Sequence, residues 1–193
     1  MIHNLNNTPL FSLLVLLMFI FLSCAPKLDE RVKAYEQAYN SHDVEKIMSF
    51  YADDIKFEVV GFFVKEGTEE VRNLTEYDVT VNIQMSISNI KVNGDTATFT
   101  LIESNDWFRL AGVEELVYEP NRIVFRDGLI KEIRAEITPE SVKAAGKAYQ
   151  TIMQWASKEH SEALAELTPG GIFSYTAETA KKWLELLKEW RNK

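Results

Sequence analysis

Residues 79–88, VTVNIQMSIS, alternate apolar and polar side chains without interruption. Because successive side chains of a β-strand point to opposite faces, this alternation predicts a long strand with one buried face. The apolar phase slips at Ile90 and Val92, which predicts a β-bulge that bends the strand. Asn93-Gly94 then predicts a tight turn, after which residues 96–107 pair back as a second strand.

Helical patterns precede this hairpin and another hairpin follows it. The remaining predicted elements are, in chain order, helices over 31–51, a strand over 55–60, a short helix begun by Thr68, and strands over 114–126 and 129–137. Within the first helical region, Ser41 or Asp43 is expected to cap a second helix. Helices followed by long antiparallel strands are typical of the α+β class.

The apolar run Leu10–Leu22 is followed by Cys24, the only cysteine of the sequence. The run is shorter than the roughly 20 apolar residues that cross a bilayer as a helix, which disfavours a spanning segment. An apolar run, a small residue and a cysteine resemble the lipobox of a bacterial lipoprotein. The alternatives are an ordinary secretory signal and a buried free thiol.

The lipoprotein resemblance implies how the N-terminal region is organised. It implies a signal peptide over residues 1–23, a lipid anchor on Cys24 and a charged tether over residues 24–30. Ala25, rather than an aspartate, follows the cysteine, which in bacterial lipoproteins implies export to the outer membrane. The expected location is therefore the bacterial cell envelope, with the lipid anchor as the membrane partner.

The charge balance excludes one class of function. The formal net charge is −8, whereas binding to nucleic acid requires a basic surface. No phosphate-binding loop is present, and the scattered histidines and lone cysteine predict no zinc site. The sequence therefore predicts no metal, no cofactor and no nucleic-acid partner.

Four segments resemble the nuclear transport factor 2-like fold, including its SnoaL-like branch. They are residues 38–43 (AYNSHD), 50–58 (FYADDIKFE), 65–72 (KEGTEEVR) and 125–130 (FRDGLI). The resemblance covers about Leu28–Ile137 and implies a cone-shaped, cystatin-like domain over residues 31–137, in which a curved antiparallel sheet wraps around N-terminal helices. Enzymes of this superfamily catalyse isomerisation, dehydration, cyclisation or epoxide opening inside the cone.

A helical C-terminal extension is predicted over residues 138–193. Thr138 is expected to cap its first helix, residues 161–167 predict a short helix, and Thr176 is expected to cap the last one. The last helix carries one apolar stripe, formed by Ala180, Trp183, Leu184, Leu187 and Trp190. This stripe is expected to pack on the sheet, to plug the mouth of the cone or to meet a partner.

Glu103 is the candidate catalytic residue. It is in phase with Ala97, Phe99, Leu101 and Trp107 along the predicted strand, so it is expected to face the interior. A carboxylate among apolar walls has a raised pKa and can act as a base. The alternatives are a bulge that turns Glu103 outward, or a structural ion pair with an arginine.

Four further residues are candidate ligand contacts. Arg122 and Arg134 lie on neighbouring predicted strands and are expected to meet the interior carboxylate, an arrangement that also resembles a site for an anionic ligand. Trp107 and Tyr118 are expected to line the cavity, with core packing as the alternative.

Three functions follow from this reading. The leading one is a membrane-anchored lipoprotein that binds a small, partly apolar molecule without catalysis. The second is a cofactor-independent lyase or isomerase that uses Glu103. The third is an interaction module of the cell envelope that docks through the sheet face or the tail. The sheet face is also the expected surface of a homodimer.

Overall fold

The computed structural model of the protein describes residues 27–193. Cys24 and the predicted signal peptide lie outside these residues. The elements are, in chain order, α1 (Leu28–Asn40), α2 (Val44–Met48), β1 (Tyr51–Val59), β2 (Phe63–Glu66), α3 (Gly67–Thr80), β3 (Gln84–Asn93), β4 (Thr96–Ser104), α4 (Asp106–Ala111), β5 (Leu116–Arg126), β6 (Leu129–Ile137), α5 (Pro139–Glu159), α6 (Ser161–Leu167) and α7 (Ala177–Arg191). None of these helices is both long and apolar enough to cross a membrane.

The six strands form one sheet in the order β2-β1-β6-β5-β4-β3. The predicted α+β class, with N-terminal helices against a curved sheet and helices at the C-terminus, is confirmed. One strand pair differs from the antiparallel expectation, because β1 runs parallel to β6. Register shifts interrupt several strand pairs, and the shift between Ser88 and Lys91 lies at the predicted bulge. Such bulges bend strands, which accounts for the curvature of the sheet.

The sequence pattern misplaced two boundaries near the first hairpin. The alternation begins at Val79, but α3 extends to Thr80 and β3 begins only at Gln84. Two or three alternating residues at a helix end fit both the helical period of about 3.6 residues and the strand period of 2, so packing decides which structure forms. The predicted strand to Trp107 likewise ends at Ser104, because Asn105 accepts a hydrogen bond from the backbone N–H of Phe108 and starts α4.

Several helix starts follow their local signals. Asp43, Thr138 and Thr176 cap α2, α5 and α7 respectively, each accepting a backbone N–H with its side chain. Thr68 does not cap α3. Instead, the carboxylate of Glu70 accepts the backbone N–H of Glu66 at 2.9 Å, and the helix is long rather than short.

Two clusters of buried side chains stabilise the protein. The larger one lies between the sheet and α1, and contains Tyr35, Tyr39, Phe99, Ile123 and Ile133. The second joins the C-terminal helices to α3 and α4, with Trp183 and Leu187 of α7 fully buried. The apolar stripe of the last helix therefore packs on the helices beside the sheet.

Candidate functional site

The carboxyl group of Glu103 is held by two neutral donors at the end of β4. Its Oε2 accepts a hydrogen bond from the Tyr118 hydroxyl at 2.7 Å, and its Oε1 accepts one from Nδ2 of Asn105 at 2.8 Å. Burial raises the pKa of Glu103, although the hydrogen bonds from Tyr118 and Asn105 oppose this rise. The structure thus brings together two residues that the sequence singled out, Glu103 and Tyr118.

A second carboxyl group, that of Asp78 on α3, shares this environment. Burial, and then the charge of Glu103, raise the pKa of Asp78 well above its ordinary value. Its Oδ2 accepts a hydrogen bond from the Tyr39 hydroxyl at 3.4 Å. Sequence reasoning missed Asp78, although its spacing from Val71 and Leu74 places it on the apolar face of an amphipathic helix. We call Asp78 and Glu103 the carboxyl pair.

The carboxyl pair is half-buried rather than fully enclosed. Both residues remain partly exposed, yet burial is the main cause that raises the pKa of each. Among the residues that the structure describes, no basic side chain pairs with either carboxyl group. The pair is therefore poorly solvated, partly exposed and not neutralised by a cation of the described chain.

Tyrosine hydroxyl groups surround the carboxyl pair. Tyr39 connects Asp78 to a buried chain of hydroxyls, in which Tyr39 and Tyr51 lie 3.4 Å apart and Tyr51 and Tyr35 lie 2.7 Å apart. Burial is the main cause that raises the pKa of all three tyrosines. These hydroxyls therefore stay protonated and fix the position of Tyr39 beside Asp78.

Asn121 adds an unsatisfied polar atom to the same face of the sheet. The residue is 3% exposed, and its Oδ1 has no hydrogen-bond partner within residues 27–193. It lies beside Phe99 of β4 and Ala135 of β6 in the strand register. A buried acceptor without a partner costs about 1–3 kcal/mol, so Asn121 marks a position where an external donor would stabilise the protein.

The C-terminal tail packs beside the carboxyl pair. The ring of Tyr175 lies 5.2 Å from that of Tyr77 and 4.8 Å from that of Phe63, measured between centroids. Burial, and then the carboxyl groups of Asp78 and Glu103, raise the pKa of Tyr175, so its hydroxyl lies near the pair. The segment between α6 and α7 therefore contributes to the site.

Trp107, on α4, lies beside the aromatic residues of the tail. Its ring makes edge contacts with Trp183 at 5.9 Å and Phe173 at 6.4 Å, and it is 5% exposed. The position of Trp107 therefore agrees with the alternative of core packing. The helix α4 starts at Asp106, and this turns the Trp107 side chain toward the tail.

The two arginines lie on the opposite face of the sheet. Arg122 pairs with Glu132, and Arg134 pairs with Glu58 at 3.1 Å and with Glu136 at 3.2 Å. Each arginine alternates with buried inward-facing neighbours along its strand, so its side chain points outward. The expectation that one of them would be the partner of Glu103 is wrong.

No group of three or more histidine, cysteine, aspartate or glutamate side chains in residues 27–193 is arranged to hold a metal ion. The site instead combines two carboxyl groups, several tyrosine hydroxyls and an orphaned amide oxygen. These groups can bind a polar part of an organic molecule, and a coupled carboxyl pair can also transfer protons.

Comparison with known proteins identifies the family of the chain. Residues 32–133, more than half of the chain, match the SnoaL-like domain family. The chain belongs to the SnoaL-like family. The predicted resemblance is therefore confirmed, and the C-terminal helices of this SnoaL-like protein lie beyond the matched region. No curated protein sequence matches the chain significantly.

Solved structures share the fold at low sequence identity. The epoxide hydrolase/cyclase-like enzyme SalBIII, with a role in pyran ring formation in the polyether salinomycin, has 18% identity and a TM-score of 0.53, covering 58% of this chain and 92% of its own. An LEH-like epoxide hydrolase of M. tuberculosis has 15% identity and a TM-score of 0.51, covering 64% of this chain and 92% of its own. An NTF2-like protein of unknown function from Cytophaga hutchinsonii has 10% identity and a TM-score of 0.51, covering 63% and 99%. These similarities concern the fold alone.

Proposed function

We propose that this SnoaL-like protein binds a small, partly apolar molecule at a site that contains Asp78 and Glu103. One observation carries the proposal: two poorly solvated, partly exposed carboxyl groups lie close enough for the charge of Glu103 to raise the pKa of Asp78, and neither has a basic partner in the described chain. Structural carboxylates in a protein interior are normally paired with a cation. The pair therefore fits a site whose remaining partner is a ligand.

The surrounding side chains support a ligand with an apolar body. Tyr77 and Tyr175 lie near the carboxyl pair, and the ring of Phe63 packs against that of Tyr175. Mostly apolar walls with a few polar groups are typical of small-molecule sites.

The experiment uses 4-fluorobenzyl alcohol and 4-fluorotoluene with the purified full-length protein, followed by fluorine NMR. Both probes should bind, and Glu103→Gln should weaken the alcohol about tenfold because it removes a charge-assisted acceptor. Glu132→Gln is the matched control, since Glu132 pairs with Arg122 on the outer face. If neither probe binds, or if both variants behave alike, the proposal is wrong.

A second candidate function is general acid–base catalysis by the same pair. The observation that favours it is the electrostatic coupling of Asp78 to Glu103, because coupled carboxyl groups lose their protons in two separate steps. One acid and one base are then present together. The wild-type protein should speed deuterium exchange at the methylene of 4-fluorophenylacetone, and Glu103→Gln should abolish this. Equal exchange rates for the two proteins would exclude Glu103 as the base.

We also propose that the protein is a lipoprotein held in the bacterial envelope by Cys24, which lies outside the described residues. The support is the apolar run before this single cysteine. Cells grown with a fatty-acid probe should label the wild-type chain and not Cys24→Ala, and the variant should leave the membrane fraction. Equal labelling of both chains would refute the anchor.

A further inference from the structure

The site around the carboxyl pair has several hydrogen-bond acceptors but no positively charged donor within the described residues. This imbalance indicates the chemistry of its ligand. We propose that the molecule bound in the cone is an organic amine, with its ammonium group at the carboxyl pair and an apolar body against the tyrosine rings. This inference rests on the proposed function, because it names the ligand class for the same site.

The first support is the incomplete set of partners around the carboxyl pair. Within residues 27–193, Glu103 receives hydrogen bonds only from the neutral donors Tyr118 and Asn105, and Oδ2 of Asp78 receives a long one from Tyr39 at 3.4 Å. Neutral hydroxyl and amide groups cannot balance the negative charge that the pair carries when it ionises. An ammonium group carries three donors and a positive charge, so it would supply what the pair lacks and favour its ionised form.

The second support is independent of the carboxyl groups. Oδ1 of Asn121 is an acceptor with no partner in the part of the chain that the structure describes, and the residue is 3% exposed. Asn121 lies three residues beyond Tyr118 on the same buried side of β5, a separation of about 10 Å along the strand. A ligand that reaches from the carboxyl pair along β5 can therefore donate an N–H or O–H to this oxygen.

The third support is the aromatic wall. The hydroxyls of Tyr77 and Tyr175 lie close enough to Asp78 and Glu103 to be affected by their charges, and the two rings meet edge to face at 5.2 Å. Electron-rich rings stabilise a cation that lies over them, and Nζ of Lys65 already lies 5.9 Å from the centroid of the Tyr175 ring, which leaves the ring of Tyr77 for the ammonium group of the ligand. Tyr175 belongs to the C-terminal extension, outside the region that matches the family.

The test compares 4-fluorobenzylamine with 4-fluorobenzyl alcohol, which share a ring and differ in the charged group. Titrations of the full-length protein by fluorine NMR near neutral pH should show the amine bound at least about tenfold more tightly than the alcohol. Asp78→Asn and Glu103→Gln should each remove most of this preference. Glu132→Gln on the outer face should preserve it.

Asn121→Leu provides a second variant that does not touch the carboxyl pair. It should weaken the amine and the alcohol about threefold to tenfold, as expected for one lost hydrogen bond, and leave 4-fluorotoluene unchanged. Circular dichroism of every variant establishes that it is folded.

The outcomes separate this inference from the proposed function. If the alcohol and 4-fluorotoluene bind but the amine gains nothing, the amine proposal is wrong and the binding function stands. If the amine preference survives both Asp78→Asn and Glu103→Gln, the amine is bound by surface acids and the proposal is again wrong. If none of the three probes binds, both proposals fail.

Discussion

Replacement of Glu103 by glutamine should leave the protein at least as stable as the wild type at neutral pH. Burial raises the pKa of Glu103, so its ionised form weakens the folded state, whereas glutamine carries no charge. The amide can accept the hydrogen bond from Asn105 and donate one to the Tyr118 oxygen. The two contacts, at 2.8 and 2.7 Å in the wild type, are therefore retained.

The size of the effect follows from the titration. A carboxyl group whose pKa is higher in the folded than in the unfolded state holds its proton more tightly when folded. Its full stabilising contribution is present below the ordinary value of 4.5 and is lost as the pH rises through the raised pKa. Within this window the free energy of unfolding falls by at most about 1.4 kcal/mol per pH unit. Glu103→Gln should remove the part of this slope that Glu103 contributes, while the raised pKa of Asp78 leaves a slope of the same sign.

Urea unfolding, monitored by tryptophan fluorescence at about pH 4, 5.5 and 7, measures the slope. The advantage of Glu103→Gln over the wild type should be smallest at the lowest pH and grow as the pH rises. Glu58→Gln is the control, because its partly exposed ion pair with Arg134 is worth under about 1 kcal/mol. A loss of several kcal/mol at neutral pH in Glu103→Gln would refute the reasoning, since it would indicate an ionised Glu103 paired with a buried cation.

Three further changes test the surroundings of this residue. Glu103→Gln should lower the pKa of Asp78, whose rise is due in part to the Glu103 charge; carbon NMR of the carboxyl groups checks this, and an unshifted titration would contradict it. Tyr118→Phe should raise the pKa of Glu103, because it removes a hydrogen bond that lowers that value; the same NMR titration decides. Trp183→Ala should lower the free energy of unfolding by about 3–5 kcal/mol, since the fully buried indole stacks on Phe173 at 5.2 Å. Urea unfolding measures this loss, and a variant that unfolds at the same urea concentration as the wild type would show that the tail does not stabilise the domain.

Local signals in the sequence were sufficient for much of the fold. The caps at Asp43, Thr138 and Thr176, the bulge after Ser88 and the bounds of β6 all lie where the sequence predicts them. Each depends on residues within a few positions of one another, so neighbouring side chains decide the conformation. Dependence on such short stretches also explains the error at residues 79–83, because the alternating pattern there is compatible with both the end of a helix and the start of a strand.

The inward position of Glu103 was also within reach of the sequence, because strand alternation assigns a face. Alternation does not say which face is buried, however, and the outward-pointing Arg122 and Arg134 were therefore placed on the wrong side. Their observed partners, Glu132 and Glu58, lie on other strands.

By itself, then, the sequence determined the α+β class, the family and a carboxyl group on the interior face of β4. Only the tertiary structure decided that Asp78 of α3 approaches Glu103, that neutral donors alone hold the pair in the described chain, and that Tyr175 of the tail closes the site. The physical reason is distance along the chain: these groups meet through packing between elements that no local pattern relates, and burial of the assembled pair, rather than any single residue, raises the pKa of both carboxyl groups.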